Sequence, residues 1–276
     1  MKKYILILLF ILMPVTVWAW GIITFTGGGS SSSGEDWTKD ADLVALWNLE
    51  DGALITDSRS TNTLTNNDTV TSSADEMQGD YSGAFDETND ECLSITDANL
   101  HSNFPTKSGG SANITVCAWV KIDSGAAVTN QTIISKFGYT PLELKSWWIN
   151  AWHSSQGVIT FELIIGYNSG ASHEGVEHAT TGVLNVWYYV AFSIDNSDNY
   201  RIRIWDDNAS AILGVDKTGT FTNSMSIVAG EVVVGGAYDD SGYDRTMDGL
   251  IDSVKVFKRV LTPDEIDATR NETYNP

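Results

Sequence analysis

The stretch GLIDSVKVFKRVLTPDEID, residues 249–267, combines the two kinds of regular structure that this chain predicts. Val254 and Val256 occupy every second position of an apolar run, a spacing typical of a β-strand. At residues 262–265 the letters TPDE mark a helix start. The Thr262 hydroxyl can accept a hydrogen bond from the backbone N–H of Glu265 while the Glu265 side chain reaches back, and proline suits the first helical position. The segment therefore predicts a strand followed by a short helix.

The strand pattern recurs along the whole chain. Further runs alternate with a period of two and are rich in Val, Ile, Trp, Tyr and Thr. They are LVALWNL (43–49), ITVCAWVKI (114–122), VITFELIIGY (158–167), VWYYVAFSI (186–194), YRIRIWD (200–206) and EVVVGG (231–236). Turn-forming clusters such as DNSDN (195–199) separate them. The pattern predicts an all-β fold of two antiparallel sheets packed face to face, with the terminal helix covering one end and most tryptophans in the core.

The N-terminal residues have the pattern of an export signal. Lys2 and Lys3 precede an apolar run over residues 4–13, and Val17 and Ala19 provide the small residues of a cleavage site. The run is shorter than the roughly 20 residues that a membrane span needs, and an uncleaved anchor is the alternative. No other stretch is apolar enough to span a bilayer. We predict a signal peptide at 1–19 and a secreted mature chain, extracellular or periplasmic, without a membrane span.

A Gly/Ser-rich stretch, TGGGSSSSG (26–34), separates this signal from the rest of the chain. We predict an extended segment and linker at 20–38 and one domain at 39–276, because no second linker and no repeat of fixed period is found. The segment WGIITF (20–25) could be donated to the sheet edge of a neighbouring subunit, which makes self-association through the N-terminal segment a further hypothesis.

Charge excludes one class of partner. The chain has 36 acidic and 16 basic residues and a formal net charge of −20, so nucleic acid phosphates would be repelled. The two signal lysines make the mature chain more acidic still. Such acidity suits solubility in salty surroundings or cation binding, and does not separate the two.

The chain has two cysteines, Cys92 and Cys117, and both lie in strand-like runs. In an oxidising compartment they can form one disulfide bond. The alternative is a pair of buried thiols.

Five motifs in order resemble those of a known family. They are LVALWNLEDG with TDSRSTNTLTNND, then YSGAFDETNDECLSIT, ITVCAWVKID, WYYVAFSIDNSDNYRIRIWDD and GLIDSVKVFKRVLTPDEI. The chain resembles the laminin-G-like, concanavalin A-like jelly rolls, in particular the LamG-like modules of bacteria and viruses. The resemblance implies a two-sheet antiparallel jelly-roll sandwich whose last strand returns beside the first and ends in a short helix.

The resemblance also implies a structural calcium ion near the junction of the first and last strands. Asp252 in GLIDSV matches the usual C-terminal ligand, and Asp51 and Asp57 lie in the loop that could complete the site. The alternative is that Asp252 only caps a strand end while the loop acids are exposed.

The sequence provides no recognisable catalytic set. Relatives that hydrolyse glycans place two carboxylates on one strand, whereas Glu162 in ITFELII has no partner two residues away. In HEGVEH (173–178) the two histidines are five apart, so they share neither a helix face nor a strand face, and a solvent-facing loop is the simpler interpretation. These patterns predict that the protein is not an enzyme.

Aromatic residues indicate where a ligand could bind. In ELKSWWINAWH (143–153), Trp148, Asn150 and Trp152 share one face of a strand and Trp147 and Ile149 the other. Since one face must be core, the first three could form an exposed platform on which sugar rings stack. Candidates beside that platform are Tyr167 on a nearby hairpin and, in a loop, Tyr243 and Arg245.

Three functional classes follow from these patterns. The leading one is a secreted, non-catalytic, lectin-like recognition module that binds carbohydrate or a surface protein, as in cell adhesion. The second is a structural subunit of a surface filament, an appendage or a phage virion. The third, disfavoured by the missing carboxylate pair, is a glycoside hydrolase.

Overall fold

The computed structural model describes residues 39–123, 130–139, 143–153, 157–239 and 242–271. The signal peptide predicted at 1–19 and the segment predicted at 20–38 lie outside the described residues, so both stay predictions. No helix in the described ranges is long and apolar enough to cross a bilayer.

The described chain consists mainly of β-strands and ends in one α-helix. The first strands are β1 (Leu43–Trp47), β2 (Thr65–Asn67), β3 (Thr71–Ser73), β4 (Ser82–Phe85), β5 (Cys92–Ile95), β6 (Ile114–Ile122), β7 (Asn130–Tyr139), β8 (Glu143–His153), β9 (Val158–Tyr167) and β10 (Ser172–Glu177). They are followed by β11 (Gly182–Val183), β12 (Trp187–Ile194), β13 (Asn199–Asp206), β14 (Ala211–Ile212), β15 (Lys217–Thr220), β16 (Glu231–Val234), β17 (Ala237–Asp239), β18 (Gly242–Asp244), β19 (Gly249–Phe257) and the helix α1 (Pro263–Arg270).

These strands form the two antiparallel sheets that the sequence predicts. The nine-stranded sheet has the order β14-β13-β12-β6-β19-β4-β3, with β1 also paired to β19 and β15 to β13. The eight-stranded sheet has the order β10-β9-β8-β7-β16-β5-β2, with β11 on β9, and β17 and β18 form a separate hairpin. The predicted two-sheet sandwich with a short C-terminal helix is confirmed.

Strand β19 changes partner halfway along its length. Its first residues, Gly249–Ile251, pair with β4, and its last, from Val254 to Phe257, pair with β1. Ser253, at φ 50°, lies at the bulge between the two halves, and β6 runs along the opposite side of the strand. The last strand therefore returns beside the first, as the family resemblance implies.

The core lies between the sheets and is built by alternation along each strand. From β6, Val116, Ala118 and Val120 point inward, and from β9 Phe161 and Leu163 meet them. Each of these side chains is almost completely buried. Burial of this apolar surface is the main stabilising contribution to the sandwich.

Helix α1 begins as predicted but packs elsewhere than predicted. The Thr262 hydroxyl accepts from the Glu265 N–H, and the Glu265 carboxylate accepts from the Thr262 N–H, which completes the capping box. Instead of covering an end, the helix lies on the outer face of the nine-stranded sheet. There Ile266 joins a buried cluster with Trp119 and Tyr189. A helix of eight residues is too short to be stable alone, so its contacts with the sheet maintain it; besides the apolar cluster, Arg203 pairs with the Asp267 carboxylate.

The cluster beneath α1 also corrects the prediction for the tryptophans. Trp47 lies in the core between the sheets, but Trp119 and Trp187 belong to the outer cluster and Trp205 is only partly buried against it. Strand alternation shows which residues share a face of a strand. It does not show which face packs in the core and which is covered by the helix, so the tryptophans could not be assigned from the sequence.

Of the two alternatives for the cysteines, the structure has the pair of buried thiols, Cys92 and Cys117, rather than a disulfide bond. Cys117 points outward from β6 into the cluster beneath α1. Cys92 is on β5 of the other sheet, where its inward-facing neighbour is Leu93 and its own sulfur lies 3.7 Å from Asn67 Nδ2. The two side chains therefore point away from each other on opposite outer faces.

Candidate functional site

The outer face of the eight-stranded sheet carries most of the residues that sequence analysis marked for ligand binding. On β8, Trp147 and Ile149 face the core, so Trp148, Asn150 and Trp152 face outward. The loop and hairpin that follow β16 lie next to this face. The question is which of the outward residues come together.

Trp148 is not an exposed platform. Its side chain is 2 % exposed and packs in a small cluster with Phe137, Ile164 and Ala237. The Phe137 and Trp148 rings meet edge to face with centroids 5.5 Å apart, and the His173 ring lies 5.6 Å from the Trp148 ring. Trp148 is thus the floor of a depression, because the hairpin β17–β18 and the neighbouring strands rise around it.

That depression is a pocket of about 310 Å³ with an apolar floor and a polar rim. Its apolar lining consists of Phe137, Trp148, Ile164 and Ala237. Its polar lining consists of Asn130, Lys145, Glu162, His173, Asp244 and Arg245. A mixed lining of this kind in a concave site is typical of small-ligand binding.

Two lining residues have buried polar atoms that lack hydrogen bonds. The indole Nε1 of Trp148 and the amide Oδ1 of Asn130 are inaccessible to solvent and have no hydrogen-bond partner among the described residues. A buried group without a partner costs about 1–3 kcal/mol, so native proteins rarely tolerate one without a reason.

Glu162 projects from β9 into the pocket and is held by its neighbours. Burial raises the pKa of Glu162; Asn150 opposes this shift and the Glu177 carboxylate adds to it. Asn150 is itself fully buried, and its Oδ1 accepts from Thr132 Oγ1 at 3.0 Å. On the adjoining strand a Cβ at Gly175 would lie 2.4 Å from Glu162 Oε1, so only glycine leaves room for this carboxylate.

The structure corrects the view that Glu162 is an isolated strand carboxylate. Glu177 on β10 is its direct cross-strand partner, so the two side chains share the outer face. Sequence analysis searched for a partner two residues away on the same strand and missed one across a hairpin. Glu177 is exposed and does not line the pocket.

Of the two ligand-binding residues predicted in the loop, Tyr243 and Arg245, only one lines the pocket. Tyr243 is turned toward the sheet: its hydroxyl lies 2.8 Å from Ser94 Oγ, and burial raises its pKa to about 12. Its ring packs on Tyr238, with centroids 5.3 Å apart, so it holds the hairpin on the sheet. Arg245, just after β18, lines the pocket instead.

The backbone of Arg245 is fixed in an uncommon conformation. Its φ is 51°, in the left-handed region that non-glycine residues seldom adopt, and its carbonyl accepts from the Thr132 N–H at 2.8 Å. The side chain stays 43 % exposed, with Nε 3.7 Å from Asp244 Oδ2. The main chain is thus anchored to β7, while the guanidinium remains accessible from solvent.

The structure brings only part of the predicted ligand set together. Trp148 and Arg245 line the pocket, and Asn150 lies directly across from Glu162 on the neighbouring strand. Trp152 and Tyr167 are half-buried on the same sheet outside the pocket. Lys145, His173 and Asn130 were missed. Period-two alternation could have shown that Asn130 and Lys145 lie on the outer face of their strands. It could not have shown that this face forms a pocket.

The two histidines of HEGVEH belong to strand β10 and its end rather than to a solvent-facing loop. His173 faces the pocket against Trp148. His178 is 2 % exposed, with its ring nitrogens 2.9 Å from Thr180 O and 3.1 Å from Val215 O. The two histidines lie in different environments, so they do not bind one metal ion together.

The three predicted calcium ligands do not form one site. Both Asp57 carboxylate oxygens are occupied by hydrogen bonds from Leu46, Arg59 and Asn62. Asp51 is exposed, and its Oδ1 accepts from Ser72 Oγ at 2.7 Å. In the described part of the chain, no three His, Cys, Asp or Glu side chains are grouped as a metal site.

Asp252 fits a cation better than its two predicted companions do. Its Oδ2 accepts from the N–H groups of Met77 and Gln78, at 2.9 and 2.8 Å, while its Oδ1 is buried without a hydrogen-bond partner in the described residues. The pKa of Asp252 is raised to about 7, mainly by burial and to a smaller extent by the nearby Glu50 carboxylate. Glu50 in turn accepts from the N–H groups of Asp80 and Tyr81. Two carboxylates therefore flank the 77–81 loop.

Solved structures with a similar fold come from several kinds of protein. The binding domain of botulinum neurotoxin serotype D aligns with a TM-score of 0.57 at 14 % identity, over 83 % of this chain and 51 % of that one. The serotype G binding domain gives 0.53 and 16 %, over 83 % and 50 %. The enzymatically active domain of tailspike protein 2 of bacteriophage CBA120 gives 0.52 and 12 %, over 78 % and 30 %. This chain thus spans about half or less of these structures, and at such identities the likeness shows the fold alone.

Among curated proteins no match to the sequence is found. The family comparison is more informative. The model of the concanavalin A-like lectin/glucanases superfamily, Laminin_G_3, matches residues 96–267, more than half of the chain, and the protein therefore belongs to this superfamily.

Proposed function

We propose that this protein is a secreted, non-catalytic recognition module that binds a carbohydrate in the pocket above Trp148. The superfamily includes lectins by its description, and two of the similar solved structures are binding domains. The pocket combines apolar side chains, which suit the C–H faces of a sugar ring, with polar groups that suit its hydroxyls.

The observation that carries this proposal is the arrangement of hydrogen-bonding groups around an apolar floor in one pocket. Phe137 and Ile164 provide apolar surface, and Glu162 and Arg245 bring an acceptor and donors to the same pocket. A sugar hydroxyl both donates and accepts hydrogen bonds, so one sugar ring can contact both kinds of group.

Glycan binding by the full chain, followed by calorimetry on the best ligand, tests the proposal. Trp148→Phe replaces the indole at the floor of the pocket with a smaller ring, so a bound sugar loses apolar contact and we expect affinity to fall about five- to tenfold. Trp152→Phe is the matched control, since it lies on the same strand and face outside the pocket, and should leave affinity unchanged. No saccharide binding, or an equal loss in the control, would contradict the proposal.

One observation favours glycoside hydrolysis as a second candidate: Glu162 and Glu177 face each other across β9 and β10. Opposed strand residues have Cβ atoms about 4.5–5.5 Å apart. From there the two flexible side chains can bring their carboxyl groups to the roughly 5–5.5 Å that retaining chemistry needs. However, a sugar in the pocket meets Glu162 and not Glu177. Release of reducing ends from a bound glycan, abolished by Glu177→Gln, would establish this second function.

We also propose that a calcium ion binds at Asp252 and Glu50. The unpartnered Asp252 Oδ1 is the supporting observation, and carboxylates are the ligands that calcium prefers. Binding would tie β19 to the 77–81 loop. Calcium should then raise the thermal midpoint of the wild type and leave that of Asp252→Asn unchanged; an equal rise in both would place the ion elsewhere.

A further inference from the structure

The chain contains five Asn-x-Ser/Thr sequences, the acceptor pattern for an N-linked oligosaccharide in an exported protein. In chain order, their asparagines are Asn67, Asn113, Asn130, Asn208 and Asn271. A transferase must reach both the asparagine amide and the hydroxyl two residues later, so an acceptor has to lie in an exposed part of the chain. The contacts of the described residues show which of the five fulfils this condition.

Three of these sequences are held within the sheets. In the first, Asn67 belongs to β2 and its Nδ2 donates to Ser94 Oγ at 3.1 Å. The second and third end in Thr115 on β6 and Thr132 on β7, and both threonines are fully buried. The fifth extends past residue 271 and so lies partly outside the described residues.

Asn208, in contrast, lies in an exposed turn. Residues 207–210 connect β13 to β14, and all four are exposed. The Ser210 N–H donates to Asp207 O at 3.1 Å, and the Ala209 N–H donates to Asp206 Oδ1 at 2.9 Å. None of these hydrogen bonds uses the Asn208 side chain, so its amide is accessible to an enzyme while the turn keeps its shape.

The strand that follows the turn is short and weakly buried. β14 contains only Ala211 and Ile212, neither of them fully buried, and pairs with the last two residues of β13. Segments with few buried contacts open locally at a small cost in free energy, so this turn can adapt to a transferase after the chain has folded. No residue of β13, β14 or the turn lines the pocket above Trp148, so a glycan attached here starts outside that pocket.

An acidic residue two positions before the asparagine also distinguishes this sequence. Bacterial oligosaccharyltransferases need a carboxylate at that position, because a cationic group of the enzyme binds it. Here it is Asp206, whose Oδ1 closes the turn and whose Oδ2 is not used by the turn. The equivalent residues of the other four sequences are uncharged: Thr65, Ser111, Val128 and Thr269.

We propose that Asn208 is an N-glycosylation site of the exported protein, an inference that depends on the predicted export and not on the proposed carbohydrate binding. The donor is an oligosaccharide carried on a lipid pyrophosphate. The Asn208 Nδ2 forms a bond to C1 of the first sugar while the bond from C1 to the pyrophosphate oxygen breaks. The lipid pyrophosphate leaves with the bonding electrons, and the transferase takes up the amide proton.

Peptide mapping by mass spectrometry, on the protein isolated from the cells that export it, tests the proposal. We expect the peptide that contains Asn208 to carry an oligosaccharide, and the peptides that contain Asn67, Asn113 and Asn130 to be unmodified. An unmodified Asn208 peptide, or a glycan on one of those three instead, overturns the proposal.

Two variants locate the determinant. The folded full chain is incubated with a purified bacterial oligosaccharyltransferase and a polyprenyl-pyrophosphate-linked oligosaccharide, and transfer is followed by intact mass. Asp206→Asn keeps an oxygen for the Ala209 N–H but loses the charge, so transfer should be about tenfold slower. Asp207→Asn removes the same charge one residue later and should be modified as fast as the wild type. Equal rates in the two variants, or transfer to another asparagine, overturn the proposal.

Discussion

The two sheets present outer faces of contrasting kinds. On the nine-stranded sheet, Trp119 and Tyr189 are covered by α1, and the Tyr189 hydroxyl bonds Thr269 Oγ1 at 2.7 Å. On the eight-stranded sheet, Trp148 lies beneath a pocket that the described chain leaves open to solvent. Aromatic side chains point outward from both sheets, so their function depends on what the chain packs over them. Trp119 is 3 % and Trp148 2 % exposed, so both rings are buried, but only Trp148 lies at the floor of a pocket.

The largest effect on stability is expected where α1 covers the outer face of the nine-stranded sheet. Ile266→Ala removes the main apolar contact of α1 with the sheet, and we expect the free energy of unfolding to fall by about 3–4 kcal/mol in urea denaturation. Val260→Ala is the control, since Val260 is 39 % exposed and its truncation should change stability little. Ligand affinity of folded Ile266→Ala should equal that of the wild type, and a parallel loss of affinity would show that the two faces are coupled.

The next effect concerns pH and Asp252 on the same sheet. Because the pKa of Asp252 is raised from an ordinary 3.8 to about 7, the folded chain binds this proton more tightly than the unfolded chain does. Its contribution to stability is therefore complete below about pH 4 and is lost as the pH rises to about 7. Between pH 5 and pH 8, in EDTA, the wild type should lose about 2–3 kcal/mol more than Asp252→Asn. Equal pH slopes of the two proteins would contradict the pKa assigned to Asp252.

At the outer face of the eight-stranded sheet, adding one methyl group should lower ligand affinity without lowering stability. In Gly175→Ala the new Cβ meets the flexible end of Glu162 rather than backbone, so the carboxylate moves and the strand remains. We expect saccharide affinity to fall about tenfold with a nearly unchanged thermal midpoint. Glu177→Gln, on the same strand outside the pocket lining, should bind as the wild type does; the reverse ranking would relocate the site toward Glu177.

The smallest effect is expected from the thiols. Since Cys92 and Cys117 lie on opposite outer faces, a reducing agent has no bond to break. The thermal midpoint should shift by less than about 1 °C on reduction, against several degrees for loss of a disulfide. A larger shift, with no free thiols by titration, would contradict this arrangement.

These differences show what the sequence could and could not predict. Alternation predicted that Trp148, Asn150 and Trp152 share a face, and the TPDE motif predicted the start of α1, because both depend on local geometry. The partner of Glu162 and the cover over Trp119 depend on strand register and on where a helix packs, which are set by contacts distant in sequence. The fold could therefore be predicted from the sequence, whereas the pocket could not.

The position of β19 in the middle of its sheet has a consequence for biosynthesis. This strand is made last among the strands, yet β6 lies on one side of it and β4 and β1 lie on the other. Until residue 257 has left the ribosome, the edges of those three strands have no partner. Folding of this sheet must therefore await the synthesis of β19, and a product truncated before residue 249 would expose strand edges that promote aggregation.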